Sequence, residues 1–325
     1  MIEIIEPGLW TTVQDLGRLG NYHLGVPPSG AADKFSFMAG NLLIGNPVDF
    51  AGLEMTLFGG RMVFHKNTVI ALTGAPMEAL INGRPMEFWR AAEVREGDVL
   101  TLNACWEGVK AFLCVSGGID VPEVLGSRST YELSKIGGFK GRKLEKGDKV
   151  SMNEPLPGVF KQAGKSVPQE FIPGFSRSQE IRVTMGIKGH MISDQGLKAF
   201  LNSEWTVLPE SNRVAYRYTG AKVSFIEEEP PFGAGSSFTN VVDFAYPIGG
   251  IMFPNEEELI VLQNDATTGG GFVTIGTVIS QDLDLIAQSR PLSTCRFTAI
   301  TLDQAIEVRR ERKEKLARLE ELLKR

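Results

Sequence analysis

The sequence predicts a mainly β fold with a few helices, arranged as two successive β units. Three observations lead there. Glycine is in excess, with 36 among 325 residues, above the average of roughly 7%, which implies many tight turns. Short apolar runs recur between turn dipeptides such as Asn82-Gly83 and Gly97-Asp98, as in sandwiches and closed β structures. A proline-rich interval with Pro155, Pro157, Pro168 and Pro173 then breaks the pattern, and each side of it is long enough to bury a core of its own. The expected boundaries are 1–153 for an opening loop plus the first β unit, 154–178 for a linker, 179–302 for the second β unit and 303–325 for a charged helix.

Residues 2–5 read as a short strand ended by Pro7 and Gly8. The stretch from Gly8 to Asp33 reads as a rigid loop. Gly17, Gly20, Gly25 and Gly30 permit sharp turns and close approach, and Pro27-Pro28 stiffen the segment before Ser29. It carries Thr11, Thr12, Gln14, Asp15, Arg18, Ser29 and Asp33, polar groups that suit either a binding site or the loop's own backbone. Ala32, Phe35, Met38, Ala39 and Leu42 share one helical face in 31–43. Asp33 falls in that helix's first turn, where a carboxylate favours the dipole. Strands are expected at 53–57, 61–65, 68–72, 78–81, 99–102 and 110–115. The segment 116–141 concentrates glycine and hydroxyl groups beyond a buried-looking strand, with Ser127, Arg128, Ser129, Thr130 and Tyr131 as candidate ligand contacts. Arg128 suits bidentate capture of a carboxylate or phosphate, or satisfaction of loop carbonyls. In the second half, strands are expected at 180–185, 205–207, 214–218, 273–280 and 295–300, and a short helix at 194–201. Gly269-Gly270-Gly271 after Thr267-Thr268 reads either as backbone amides presented to an anion or as a close corner of the sheet. The terminal helix, with Leu316, Leu319 and Leu323 on one stripe, is too short in heptads for a coiled coil.

Several function classes are disfavoured by composition. A net charge of −5 from 34 basic and 39 acidic residues is the wrong balance for a nucleic-acid binder. Apolar runs fall short of a membrane span and no charged, apolar-cored leader opens the chain, so a cytoplasmic protein is expected. Three cysteines, Cys105, Cys114 and Cys295, have no metal spacing and suggest no disulfide framework. Cys114 within 111–115 is expected as a buried, inert thiol. His23, His65 and His190 form no ligand pair, so no metal site is expected; His23 is the one histidine placed for acid/base work or for a backbone bond. Gly158 to Gly164-Lys165-Ser166 fails as a phosphate loop: five residues separate the glycines and Pro168 stands where a helix would begin. No Gly-x-Ser-x-Gly elbow occurs.

The pattern GLWTTVQDLGR…GVPPSGAAD resembles the opening of one family, variously called the C subunit of 5-oxoprolinase, biotin-dependent carboxyltransferase or allophanate-hydrolase-like. That family includes the C-terminal carboxyltransferase part of urea carboxylase and an antagonist of a sporulation-kinase inhibitor. Further blocks follow in family order: 41–47, 53–57, 71–75, 116–122, 125–131 and 267–270. The resemblance implies two tandem cyclophilin-like β-barrel domains. It implies a subunit of an ATP-dependent 5-oxoprolinase that activates and opens a cyclic amide to give glutamate, using ATP with Mg²⁺, beside a partner subunit of related fold. The alternatives it leaves are a carboxyltransferase acting on carboxybiotin and urea or a related amide, and a regulatory protein binding a kinase inhibitor. No Met-Lys-Met tripeptide occurs, so no covalently attached biotin is expected.

On this resemblance the catalytic candidates are Thr11, Gln14, Asp15, Arg18, Ser29 and Arg128. The substrate- or nucleotide-binding candidates are Ser127, Ser129, Tyr131, Arg217, Thr267, Thr268, Gly269 and Gly270. Phosphate stabilisation would draw on Arg18, Arg128, Arg217 and the 269–271 amides; carboxyl transfer would draw on Thr11, Gln14, Ser29 and Thr268. The chain departs from the family pattern in 228–271, where the family's Asp-x-Gln-Thr-Thr-Gly-Gly-Tyr becomes Asn264 to Gly271, and Asn212 replaces an acid shortly upstream.

Overall fold

Apolar side chains at alternate positions of a strand need a second layer to cover them, and the chain provides one in two different ways. The computed structural model describes residues 1–324, apart from the side chain of Ile187. Two units are compact by themselves. Unit 1 comprises Met1–Leu19, Ser29–Phe175 and the chain from Lys313; unit 2 comprises Gly20–Pro28 and Ser176–Arg312.

Unit 1 contains β1 (Ile2–Pro7), β2 (Trp10–Gln14), helix α1 (Lys34–Leu43), β3 (Gly52–Thr56), β4 (Phe58–Phe64), β5 (Thr68–Gly74), β6 (Met77–Ile81), β7 (Arg84–Met86), β8 (Ala91–Val94), β9 (Val99–Cys105), β10 (Lys110–Val115), β11 (Ile119–Asp120) and β12 (Lys149–Met152). They form a seven-stranded sheet in the order β11-β12-β1-β4-β9-β6-β7 and a five-stranded sheet in the order β2-β3-β10-β5-β8. Ile2, Met62, Phe64 and Leu100 from the first meet Val13, Leu53, Met55 and Leu113 from the second in one core. The opposite face of the five-stranded sheet receives α1: Phe37, Ala39 and Leu43 pack on Ala71, Phe112 and Cys114, with the Phe37 and Phe112 rings edge to face at 5.6 Å. Burial raises the Cys114 thiol well above its ordinary range, as befits an inert core residue. Residues 154–177 hold only short 3₁₀ turns as regular elements, yet Val159, Val167 and Phe171 are buried in this second core.

Unit 2 contains β13 (Ser178–Met185), α2 (Asp194–Asn202), β14 (Trp205–Val207), β15 (Ala215–Thr219), β16 (Asn240–Ala245), β17 (Gly250–Phe253), β18 (Glu258–Leu262), β19 (Gly269–Val278), α3 (Leu283–Ala287) and β20 (Thr294–Ala299); the helix α4 (Leu302–Lys324) follows. The order β13-β20-β14-β15-β18-β17-β19 closes on itself because β19 also pairs with β13. Seven strands thus make a barrel, and β16 extends β19 outside the ring. Its interior is filled by Trp205, Tyr218, Phe253, Phe297 and aliphatic neighbours, with Phe200 of α2 closing it.

The fold is therefore mainly β, as expected, and most predicted strands appear within two residues of their predicted ends. One reading changes at a position that matters. The opening stretch expected as loop is in part strand: Trp10–Gln14 is β2, an edge strand paired with β3. Its β-branched Thr11, Thr12 and Val13 have strand propensity that the flanking glycines obscure.

Candidate functional site

Period-two alternation sends the side chains of β2 to opposite faces. Val13 joins the inner core, and Thr11, two residues away, shares that face, buried, with no hydrogen-bond partner for its Oγ1. Thr12 and Gln14 point to the other face. Gln14 is fully buried and bridges three segments. Its Nε2 donates to Thr12 Oγ1 at 3.0 Å and to the Thr130 carbonyl at 3.3 Å, and its Oε1 accepts the Gly30 N–H at 3.1 Å.

Asp15, just past the end of β2, is the hub of unit 1. Its Oδ1 accepts from the Gly17 N–H at 2.7 Å, from Ser127 Oγ at 2.7 Å and from Ser129 Oγ at 2.5 Å. Its Oδ2 accepts from the Arg128 N–H at 2.6 Å. The Asp15 N–H donates in turn to Ser129 Oγ at 3.0 Å. Arg18 is buried to 1% exposure, and its Nη2 donates to the Ser129 carbonyl. Two glycines let the chain come this close. At Gly137 and Gly138, with φ of 66° and 53°, a Cβ would stand 2.2 Å from the Ser129 carbonyl oxygen and 1.9 Å from Thr130 Oγ1. Sequence reasoning gave Asp15 and Arg18 as catalytic and Ser127 and Ser129 as binding candidates, and the structure brings the four side by side. It also shows what occupies them: four donors converge on the Asp15 carboxylate, an arrangement that ties loops together.

The loop preceding α1 is fixed by three consecutive amides. The Gly30 N–H reaches Gln14 Oε1, the Ala31 N–H reaches the Asp15 carbonyl at 2.8 Å, and the Ala32 N–H reaches Glu54 Oε2 at 2.8 Å. Asp33 then caps α1, accepting from the Ser36 N–H at 3.0 Å and from Ser36 Oγ at 2.6 Å, so its local role is a cap. Within this clamp Ser29 takes a left-handed conformation, φ 53°, is fully buried, and its Oγ has no hydrogen-bond partner. A strained, buried and unsatisfied hydroxyl calls for a functional explanation.

Glu54 and Lys110 are two groups that sequence reasoning missed. They lie on neighbouring strands β3 and β10, 1% and 5% exposed, with Lys110 Nζ 3.5 Å from Glu54 Oε1 and donating to Thr56 Oγ1 at 2.8 Å. The signal was present: Glu54 is a lone acid inside the apolar run Leu53–Met55, and Lys110 begins another. A charge in such a strand is either exposed or paired.

Arg128 engages mainly its own loop. Its Nε donates to the Val121 carbonyl at 3.0 Å, and its half-exposed Nη1 lies 3.4 Å from Glu123. Tyr131 is buried, its backbone paired with Ile136. The remaining candidates lie in unit 2. Arg217 on β15 donates to Glu258 on β18. Gly269 and Gly270 begin β19, opposite Ala245 and Phe244 of β16. A Cβ on Gly270 would stand 2.8 Å from the Tyr246 ring, and Thr267 Oγ1 donates to the Gly269 carbonyl, while the Thr268 carbonyl accepts the Tyr246 N–H. Tyr246 Oη donates to the Phe272 carbonyl at 3.1 Å, and burial raises its pKa. Of the two readings for 269–271, the close sheet corner is the one built here. Nearby, Arg213 and Asp265 form a buried fork, Nε to Oδ2 at 2.9 Å and Nη2 to Oδ1 at 3.2 Å.

These residues do not make a cradle for a nucleotide. Both serine hydroxyls, Ser127 and Ser129, donate to a carboxylate, Arg217 is paired with Glu258, and Gly269-Gly270 lie in a strand ladder. An open groove of about 590 Å³ in unit 1, lined by His65, Lys66, Glu154, Pro157 and Phe160 among others, contains none of them. Among the described residues no cluster of three or more His, Cys, Asp or Glu is arranged for a metal ion, and no helix is long and apolar enough to cross a membrane.

Comparison with known proteins adds a lineage to this geometry. The family model described as "Carboxyltransferase domain, subdomain A and B" matches residues 24–299. The chain is 34% identical over 330 residues to the urea amidolyase of Lachancea kluyveri, covering 98% of this chain and 18% of that protein. It is 32% identical over 311 residues to the C subunit of 5-oxoprolinase from Escherichia coli, covering 96% of this chain and 95% of that one. In structure it is similar to the urea amidolyase of K. lactis, with a TM-score of 0.92 and 31% identity over 98% of this chain and 20% of that one. The chain thus spans about a fifth of the urea amidolyases it matches.

Proposed function

The chain belongs to the carboxyltransferase-domain family, subdomains A and B, and from that premise we propose that it serves as a subunit of an ATP-dependent 5-oxoprolinase, opening a cyclic amide to glutamate beside a partner subunit. The observation that carries this reading is the near end-to-end match with the C subunit of 5-oxoprolinase. The geometry of unit 1 supports it in one respect. Ser29 is held rigidly by the three-amide clamp with its Oγ unengaged, as befits a donor reserved for the carbonyl oxygen of an amide substrate. The Asp15 hub and the Glu54–Lys110 pair act on that loop by positioning it. The candidate residues, as they are paired among the described residues, do not fit a Mg²⁺–nucleotide, and the part in the reaction proposed for this chain is to hold the amide carbonyl.

A second reading is carboxyl transfer from carboxybiotin to urea or a related amide, with biotin arriving on another polypeptide. It is favoured by the similarity to the urea amidolyases, at least as high in identity and with a TM-score of 0.92. One experiment separates the two. The chain, assembled with its partner subunits, is supplied with ATP and 5-oxoproline, and ADP and glutamate are followed; in parallel it receives free carboxybiotin and urea. Glutamate formation that falls at least tenfold in Ser29→Ala, with unchanged melting temperature, is the expected result. Carboxyl transfer without glutamate formation overturns it in favour of the second reading.

A further inference from the structure

Two stretches that stand out in the sequence take no part in the clamp around Ser29. Gly20 to Pro28 is the middle of the opening segment, and Thr267 to Gly270 is built as a sheet corner. Both belong to unit 2, and there they touch. Tyr22 Oη donates to the Tyr246 carbonyl at 2.5 Å, and a Cβ on Gly25 would stand 3.9 Å from Thr268 Oγ1. His23 and Leu24, which complete the short turn begun by Tyr22, are exposed. Burial raises the pKa of the Tyr22 phenol, so its proton stays available for donation.

Tyr246 is a firm anchor. Its N–H donates to the Thr268 carbonyl at 2.9 Å, and its Oη donates to the Phe272 carbonyl at 3.1 Å and accepts the Phe272 N–H at 2.5 Å. From Gly25 onward the peptide is stiff. Each proline of the pair Pro27-Pro28 fixes its own φ at about −65° and restricts the residue before it to extended conformations, so Val26 to Pro28 has little freedom. Both prolines are buried. The next residue is Ser29, whose φ of 53° stores strain. Such strain persists only where the surroundings hold it on both flanks. The Gly30, Ala31 and Ala32 amides hold the C-terminal flank. On the N-terminal flank stands the proline strut, with Tyr22 at its root.

We propose that Tyr22 is a positioning residue for Ser29, acting along the peptide 22–29. Its hydrogen bond to the Tyr246 carbonyl fixes the root of the strut, and the strut sets where the Ser29 hydroxyl stands. The 267–270 corner thereby gains a task that needs no ligand, because it carries the anchor: the Thr268 carbonyl holds the Tyr246 N–H, and Gly270 leaves room for the Tyr246 ring. Without the Tyr22 bond the root of the strut is released, Ser29 relaxes from its left-handed conformation, and the hydroxyl leaves its productive position. The inference rests on the reading of Ser29 as the donor to the amide carbonyl.

The test is Tyr22→Phe, which keeps the ring and removes only the donor. In the full chain, hydrogen exchange read by mass spectrometry is expected to run about tenfold faster than wild type in peptides spanning 29–33. Peptides spanning 127–129 and the melting temperature should be unchanged. In the chain assembled with its partner subunits, glutamate formation from 5-oxoproline should fall about tenfold in kcat at unchanged KM. A cycle with Ser29→Ala separates positioning from a general role in the fold: once the Ser29 hydroxyl is gone, Tyr22→Phe should cost nothing further. Wild-type exchange in 29–33 overturns the proposal. So does a lowered melting temperature, a kcat equal to wild type, or a loss that multiplies with that of Ser29→Ala. Faster exchange in 29–33 of an assembly that makes no glutamate even as wild type upholds the positioning of Ser29 and counts only against the reading of its reaction.

Discussion

Asp15 in unit 1 and Asp265 in unit 2 are both buried carboxylates just beyond the end of a strand, and they are neutralised differently. Asp265 meets one guanidinium, that of Arg213, across 52 positions. The two residues flank β18 and β15, strands already paired, and the Asp265 N–H also reaches the Arg213 carbonyl at 3.0 Å. The fork therefore reinforces a contact that the ladder has made. Asp15 gathers two hydroxyls and two backbone amides, and three of those donors lie 112 to 114 positions away. No ladder among the described residues links β2 to 127–129; the link is made of side chains, with the Asp15 carboxylate at its centre and the Asp15 N–H and Arg18 Nη2 also reaching Ser129. An ion pair joins two groups with matched charge. A carboxylate surrounded by neutral donors joins several segments, and each donor is left unsatisfied if it goes.

The largest effect is expected at Asp15→Ala. Removing the shared acceptor strands four donors and frees the 127–129 loop, costing about 4 kcal/mol, read as a shift in the denaturant midpoint; a loss below about 1 kcal/mol would erase the difference between the two carboxylates. Arg213→Ala leaves Asp265 buried and unpaired and is expected to cost about 3 kcal/mol. The pair Arg213→Met, Asp265→Leu should recover most of that in thermal melts, because both charges leave together. No apolar set at Asp15 should do the same, since the Gly17 and Arg128 amides remain unanswered. Gly138→Ala is next, at about 2 kcal/mol, from the left-handed backbone and the overlap with Thr130 Oγ1, visible in chemical denaturation.

The smallest effect is expected where a buried carboxylate has a guanidinium partner that reaches solvent, as at Asp148, whose partner Arg142 is 27% exposed. Asp148 accepts from both Nη atoms of Arg142, at 2.7 and 2.9 Å. That hydrogen-bonded guanidinium holds the Asp148 carboxyl below the usual carboxylate range, against some desolvation. A folded-state pKa below the unfolded one means a contribution present above the ordinary carboxyl range and lost as pH falls through the folded value. Asp148→Asn should remove about 1 kcal/mol at neutral pH and flatten the acid limb of the stability curve between about pH 5 and the acid transition, measured by melts across pH.

Much of unit 1's site was legible. Gly17, Gly30, Asp15, Ser127 and Ser129 stand out because turns and polar groups cluster in short stretches, and local chemistry alone marks such clusters. Glu54 and Lys110 were passed over because each is a single charge in a strand-like run, and nothing local says that the two strands are neighbours. In unit 2, Gly269 to Gly271 reads locally as either a nest for an anion or a close corner; the presence of β16 alongside sets Gly269 and Gly270 into a ladder.

Alternation, glycine count and turn dipeptides determine by themselves that this chain is mainly β, where most strands lie and which loops are polar, because those properties depend on neighbours within a few residues. Whether the strands face one another as two sheets, as in unit 1, or close through β13 and β19, as in unit 2, was decided only in three dimensions. So was the pairing of Glu54 with Lys110, and the gathering at Asp15 of donors more than a hundred positions away. Such contacts depend on which distant strands meet, a choice governed by the packing of whole sheets that no short window of residues contains.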